Sequence, residues 1–498
     1  MNGIGSLNKV SQDILIAAYG NDLVNVATGL GYGLALDPSY KVEFENFLSS
    51  LFFTNYFNDP KTFNGTTWSR QHVSKLPLFK YPKQWSSRMY GGFIKIGSVE
   101  YPSRVWFSDL PTNDTIEWGY EYGTNLSTTA GDNRVTSANA GFKAHNIKRG
   151  DPLFILTGVN AGQYSVKEIE SDLALRLADY NGNDTTLQAT ATNLTYWVGG
   201  NWFDVERDDG DFITWVTQNF EQLIVFKRDT VYRINAFDGS NQSLIKGAQG
   251  TTTGRSVING KDLTVWFHGG LKDQTGFYSY NSTSGVKISD AIQKYIDGIS
   301  SAMYTSIVGW KEGQLFRWYV GDIDNTDYNI HVTQAVVTYD YPSRAWSVDP
   351  IADIINAATE FRQGGTKSAF ITNDTEVLQT PLGDDFNGSP IPFSFQVGGI
   401  FPSGTDYSNT FSRIQIISEN AAGIKVMYRR RLKPFDSDAE FRSLGSISRE
   451  STWFYFPEDA NQSSGIDLRF EGTSSTEPTA LIKKSKIFYV KGTNINGQ

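Results

Sequence analysis

The sequence predicts an all-β protein, and three observations carry that prediction. Short runs of β-branched or aromatic residues, bounded by Gly, Asn or Asp, recur along the whole chain. The composition is turn-rich: the 498 residues include 47 Gly, and aromatics reach 14% while charged residues make up only 19%. Helical periodicity is confined to one short stretch.

The clearest strands are DILIAAY (13–19), MYGGFIKIG (89–97), DLTVWFHGG (262–270), QLFRWYVGD (314–322), TQAVVTYD (333–340) and SAFITND (368–374). Two segments read as hairpins. In QLIVFKRDTVYRI (222–234) the polar turn Lys227-Arg228-Asp229 joins two apolar arms, and in FITNDTEVL the pair Asn373-Asp374 does the same. The helical stretch is SDAIQKYIDGIS, with Ser289 as N-cap and Asp290 in the first turn. Ile288, Ile292, Tyr295, Ile296 and Ile299 then share one face. FENFLSSLFF (44–53) fits either a short helix or a buried strand.

A chain of this length exceeds one ordinary core, so two to four domains are expected. From residue 130 to 200 the texture changes. IKRGDPLFILTGVNAGQYSVKEIESDLALRL alternates strands with Gly/Asn turns and predicts a small β-barrel-like module inserted into a loop. The parent pattern resumes at GNWFDVERDDGDFITW. Beyond about residue 388, longer strands (RIQIISE, GIKVMYRRR, STWFYFP, GIDLRFEG, SKIFYVKG) predict a C-terminal β-sandwich or jelly roll.

Two nonapeptides repeat: YPSRVWFSD (101–109) and YPSRAWSVD (341–349). Each follows an acid, Glu100 or Asp340, and each leads into a Trp-bearing strand. They read as equivalent hairpins with a proline turn and Trp106 or Trp346 on the return strand. That arrangement suits β-propeller blades, where the Trp packs between neighbours. Arg104 and Arg344 are expected over the Trp or on the acid. The resulting division is 1–129 for the first part of a β-propeller, 130–200 for the inserted module, 201–388 for the rest of the propeller and 389–498 for the C-terminal β domain. Six or seven blades fit the strand tally, with the N-terminal hundred residues supplying part of the closing blade.

Charge and motif content narrow the function classes. The net charge of −9 disfavours a general nucleic-acid binder. The one dense basic run, Arg429-Arg430-Arg431 with Lys433 nearby, is expected as a solvated or subunit-facing strand end rather than a DNA clamp. Cysteine is absent, which removes disulfides and thiolate chemistry. The N-terminus lacks the features of a signal peptide and no apolar run reaches membrane-span length, so synthesis in a cytoplasm without a membrane span is expected. His72, His145, His268 and His331 stand apart from one another, outside metal-motif spacing, and His268 in TVWFHGG suits a core or turn. Carboxylates cluster as Asp204, Glu206, Asp208, Asp209 and Asp211, and again as Asp322, Asp324 and Asp327. Asp327 occupies the place where a calcium loop needs Gly, and inter-strand turns explain both clusters better than cation sites. GLGYG (29–33) lacks the strand-before, helix-after setting of a nucleotide loop. Trp310, Phe316, Trp318 and Tyr319 could stack on sugars if exposed, but aromatics buried between sheets explain the pattern more simply. No catalytic, cofactor-binding or metal-ligating residue is assigned, and no enzyme is expected.

Four segments in order, RVWFSDLPTNDTIEW, DGDFITWVTQNFEQLIVFKRDTVYRI, GRSVINGKDLTVWFHGGLKDQTGFYSY and KISDAIQKYI, resemble the tail nozzle, or head-stabilisation, proteins of short-tailed bacteriophages and related tail-hub propellers. The resemblance covers roughly residues 85–118 and 205–380. It implies a structural virion protein without cofactors, made in the host cytoplasm and located in the viral tail. Such subunits typically form homohexamers below the portal and its adaptor, extend the DNA channel, help retain the genome before DNA ejection and carry fibres or spikes. The implied partners are therefore further copies of the chain, portal-adaptor proteins, tail fibre or spike proteins, and phage DNA passing without sequence-specific binding. An acidic balance agrees with a conduit, because a basic lining would hold phosphates. The alternative is a carbohydrate-binding tail adhesin or glycan hydrolase on the same scaffold.

Overall fold

Seven antiparallel sheets follow one another along residues 3–380, and each starts with the strand nearest a common axis. In order, these inner strands are Gly3–Asn8, Glu43–Phe47, Leu78–Trp85, Ile213–Asn219, Ile258–Asn259, Val308–Glu312 and Ala357–Gln363. The first touches both the second and the last, so the ring is closed. The fold is a β-propeller, with blades 1 to 7 numbered in chain order. This computed structural model describes all residues except 9–12, 71–77, 97–98, 112–117, 119, 146, 180, 352, 364–365, 381–384, 387–388, 391, 404–406, 420, 434–435, 438–439, 459–460, 474–480 and 495–498.

Each blade is sandwiched between two others, which explains why its strands are apolar on both faces rather than alternating. In blade 4, Val216, Leu223 and Val225 pack against Tyr90, Val105 and Phe107 of blade 3. The intervening residues Ile224 and Phe226 face the other way, onto Trp266 and Tyr278 of blade 5. Blades 5 and 6 share the largest such seam, where Val265, Phe267 and Phe277 meet Trp318, Val320 and Val337. The predicted helix lies at this seam as a 3-10 turn, Asp290–Ile292, followed by one α-turn, Gln293–Ile296. Its apolar face is buried as expected, and Ser289 occupies the N-cap position but its side chain makes no capping hydrogen bond. Its hydroxyl instead accepts the Phe277 N–H at 2.9 Å, an alternative use that Ser side chains readily take. FENFLSSLFF resolves as a hairpin of blade 2, Glu43–Phe47 with Ser50–Thr54, turning at Leu48 in the left-handed region.

Blade 3 is interrupted. Its outermost strand, Asn201–Asp204, pairs with Val99–Phe107, and between them the chain builds a closed six-stranded barrel over 120–199. The barrel's first strand, Tyr120–Thr128, starts ahead of residue 130 because it pairs with its last, Ala191–Gly199. Trp106 of blade 3 meets Trp197 of the barrel edge-on at 6.4 Å, in one seam with Trp118 and Phe154. The chain leaves the barrel through Gly200 at φ 106°, where an added Cβ would lie 1.9 Å from the Trp106 ring.

The two YPSR segments are not equivalent. In the first, Tyr101-Pro102 lies within the strand Val99–Phe107, at a register shift between Tyr101 and Val105 where no ladder bond needs the proline N–H. In the second, Tyr341–Arg344 is the turn itself, and only there does the Trp return as expected. Trp346 packs on Phe277, Trp318 and Tyr339, bridging blades 5 and 6. Arg104 is fully buried and pairs not with Glu100 but with Asp204, through two bonds of 2.9 and 3.1 Å. Exposed Arg344 serves the turn at φ 56°.

Residues 381–498, with 349–352, form a second unit. Two antiparallel sheets enclose a common core of Phe411, Ile414, Val426, Tyr428, Phe454, Ile466 and Leu468, a β-sandwich as expected.

Ring closure differs from the expectation of a shared closing blade. The N-terminal strands form blade 1, which is three-stranded like blade 7, and among the described residues no strand crosses between them. They meet through Ile4 and Leu15 against Ala357 and Phe370, and through a 2.9 Å bond from the Ser6 hydroxyl to the Glu360 carbonyl. Arg255, on the turn between blades 4 and 5, reaches the same place from the other side of the ring. Its Nε donates to Glu43 at 2.9 Å, Nη1 to the Asn356 carbonyl at 2.9 Å, and Nη2 to the carbonyls of Asn2 at 2.6 Å and Val42 at 3.2 Å. One side chain thus holds the entries to blades 1, 2 and 7. Arg255→Met strands the Glu43 carboxylate and three carbonyls, and is expected to cost the propeller about 3–5 kcal/mol, measured by denaturant unfolding. Adding Glu43→Gln should recover part of that loss, so the double variant costs less than the two single changes summed.

Candidate functional site: the axial cavity and the charged clusters

The axis of the propeller holds a cavity of about 610 Å³ to which the inner strands of all seven blades contribute. Pairs among its ionic side chains form both across blade boundaries and within blade 7. Lys83 meets Glu45 at 2.8 Å, Arg255 meets Glu43 at 2.9 Å, and Lys367 approaches Glu360 at 3.7 Å. Arg255 also lines a second cavity of about 430 Å³. Lys41 faces the second one; burial and the nearby Arg255 guanidinium hold its ammonium below the usual lysine range. A passage crossed by one side chain cannot admit a duplex whose major groove alone is about 12 Å wide.

The carboxylate cluster at 204–211 is structural. Asp204 is held by Arg104, and Asp209 by Lys227, whose buried ammonium spends its donors on both Asp209 oxygens (2.8 and 2.7 Å) and the Glu206 carbonyl (2.7 Å). Asp211 caps the 228–230 turn, accepting from the N–H groups of Arg228 and Asp229 and from the Thr230 hydroxyl. In the second cluster, Asp322 accepts the Gln334 N–H, Asp324 meets His331 across the hairpin at 3.0 Å, and Asp327 sits in a 3-10 turn. Among the described residues no group of acids and histidines converges as a metal site would require. The GLGYG loop folds around Asp22, whose carboxylate accepts the N–H groups of Gly33 and Leu34. Trp310, Phe316, Trp318 and Tyr319 are all buried between blades and present no face to a sugar.

His72 lies outside the described residues. His268 is a core histidine whose Nδ1 lies 3.2 Å from the Gly250 carbonyl, and burial pushes its pKa down, toward the neutral form. His145 belongs to a network that its sequence position does not announce. Its Nδ1 lies 3.0 Å from the buried Glu121 carboxylate, whose other oxygen accepts the Tyr196 hydroxyl at 2.7 Å. Ser137 accepts from Tyr196 at 3.1 Å and donates to Asn125, so the Tyr196 hydroxyl, not the serine, shares the carboxylate with the imidazole. A nucleophilic triad needs the serine on the imidazole, and this arrangement does not supply it. It serves as an internal polar brace of the barrel.

The basic run lies inside the strand Lys425–Lys433, not at a solvated end. Arg429 and Arg431 converge on Asp467, whose side chain is completely buried, at 2.8 and 2.6 Å. On the outer face of the partner sheet, Arg413 lies over Trp453 and Phe488, beside the exposed Tyr455.

No family model and no curated protein matches this chain. Solved structures with similar features include the Pan2 WD40 domain of Neurospora crassa (9% identity, 68% of this chain and 88% of that one, TM-score 0.26). Others are the endosialidase of phage phi92 (8%, 96% and 73%, 0.21) and PorZ, a surface component of the Porphyromonas gingivalis type-IX secretion system (9%, 99% and 81%, 0.22). At these scores the likenesses carry nothing about function.

Asp467 gives the sandwich a defined acid response. Burial alone would raise its carboxyl, but hydrogen bonds from Arg431, the Gly399 N–H and Arg429 outweigh burial and hold it below the usual aspartate range. A depressed folded pKa stabilises above the unfolded value of about 3.9 and is lost as pH falls through the folded value. Asp467→Asn is therefore expected to lower sandwich stability by about 2–3 kcal/mol at neutral pH and to flatten its acid limb, as read by calorimetry across a pH series.

Proposed function

We propose that this chain is a structural protein of a short-tailed bacteriophage, a tail hub or nozzle subunit that works through its interfaces. The observation that carries this reading is the fate of its chemistry-bearing residues. The carboxylate clusters, the basic run and the dense aromatics are used as contacts of the scaffold itself. The four segments that resemble nozzle proteins fall on consecutive blades, 3 to 5, and on the helical turn that follows them.

In this reading the subunits form a ring, a hexamer, below the portal and adaptor, and the DNA runs through the centre of that ring. The crossing of the propeller axis by Arg255 supports a channel between subunits rather than through one of them. The aromatic outer face of the sandwich, with Tyr455, Phe488 and Tyr489 exposed, offers a surface for a neighbouring copy or for a fibre or spike protein.

Quantitative mass spectrometry of intact virions tests the reading. About six copies per particle are expected, the stoichiometry of a closed cyclic ring. Three or fewer copies at the tail tip would favour an adhesin, and polysaccharide cleavage abolished by single acid-to-amide changes would replace the structural role with an enzymatic one.

A further inference from the structure

Outside the axis and the scaffold pairs, one cleft holds a cation with nothing to bind. It measures about 720 Å³ and lies between blade 3 and the connection to blade 4, with Lys80, Phe93, Val99, Glu100, Pro102 and Phe212 among its walls. Lys80 is half-buried, and among the described residues its ammonium has no hydrogen-bond or ion-pair partner. It rests on aromatic faces instead, 3.4 Å from the Phe93 centroid and 4.6 Å from that of Tyr56. Burial accordingly holds it below the usual lysine range, with Glu100 opposing and Lys95 adding to that fall.

Two further features set this lysine apart. Phe93 lies opposite it in the ladder, between the pairs Phe79–Ile94 and Tyr81–Gly92, and adopts φ 60° in mid-strand while buried. A bulky aromatic in the left-handed region is a conformational outlier that costs on the order of 1–3 kcal/mol, and such outliers gather at ligand sites. The acids around the cleft are already engaged. Asp204 is bound by Arg104, Asp211 by the 228–230 turn and Asp208 by Arg207 at 3.6 Å, while Glu100 accepts the Tyr56 hydroxyl at 2.8 Å. Lys95, 5.7 Å from the Tyr56 ring, adds a second positive charge. The cleft is lined by two cations, Arg207, which meets Asp208, and Lys80, whose ammonium meets only ring faces, and its walls include the exposed apolar surfaces of Val99 and Phe212.

We propose that this cleft binds a small carboxylate with an apolar face, its carboxylate on the Lys80 ammonium and its body against Phe212 and Val99. That chemistry is shared by a uronic acid and by an aryl carboxylate, and two probes separate them. Glucuronate and benzoate are titrated against the full chain by calorimetry and ligand-observed NMR, with glucose as the neutral control. Saturable binding of at least one carboxylate, with a dissociation constant of about 1 mM or tighter, and none of glucose, is expected. Glucuronate alone identifies a sugar site, and benzoate alone an aryl-acid site.

Lys80→Met should weaken binding about tenfold or more while Lys80→Arg largely retains it, a charge-dependent pattern that a packing role would not produce. Phe212→Ala removes a partly exposed ring that meets Phe93 edge-on at 6.3 Å; it should weaken binding several-fold with the far-ultraviolet circular dichroism unchanged, and it serves as the test should Lys80→Met fail to fold. No binding of either carboxylate, equal binding of glucose, or unchanged affinity in a folded Lys80→Met or in Phe212→Ala would overturn the proposal.

Discussion

Arg255 is the contact on which the propeller most depends. A ring of blades needs a closure, and here blades 1 and 7 face each other as separate sheets with no strand in common. Apolar packing joins them, but packing resists sliding poorly, whereas a guanidinium aimed at fixed oxygens sets register as well as distance. Burying that charge is tolerable because Nε, Nη1 and Nη2 all find acceptors, one of them the Glu43 carboxylate. The same side chain spans from the turn between blades 4 and 5 to the entries of blades 1, 2 and 7, so closing the ring also crosses the axis.

Ion pairs elsewhere repeat this logic at other seams. Arg104–Asp204 fastens the resumed outer strand of blade 3, Lys227–Asp209 pins the connection to blade 4, and Asp467 gathers two arginines of a neighbouring sandwich strand. Each joins segments at least eighteen residues apart in sequence. In a protein without cysteine they do the cross-linking that disulfides do elsewhere, though their strength varies with pH and salt.

Much of the scaffold was legible because strand chemistry is local. β-Branched and aromatic runs bounded by turn residues marked hairpins such as 222–234 correctly, and the change of texture near 130–200 marked the barrel. What sequence could not show was pairing across distance. Tyr-Pro-Ser-Arg has the same local preferences at 101 and 341, yet a strand partner absorbs Pro102 in one place and a turn uses Pro342 in the other. Arg255, His145 and Lys80 carry no motif at all. Their roles come from oxygens, carboxylates and ring faces supplied by other blades or by other strands of the same blade or barrel, and nothing in the neighbouring residues announces them. Ser289 illustrates the converse: its local setting is that of a cap, and a backbone amide twelve residues away claims it.

The barrel's position within blade 3 has a consequence for synthesis. Phe107 cannot meet its partner Asn201 until ninety-four further residues have been made, the difference between 201 and 107. At about 5–20 residues per second, the strand Val99–Phe107 leaves the ribosome roughly 5–20 s before the strand that covers it. Until then its open edge is a template for mispairing with another nascent chain. The barrel cannot close earlier, because its last strand, Ala191–Gly199, is made just ahead of Asn201–Asp204. Barrel and blade are therefore completed almost together, and the Trp197–Trp106 contact forms as both close.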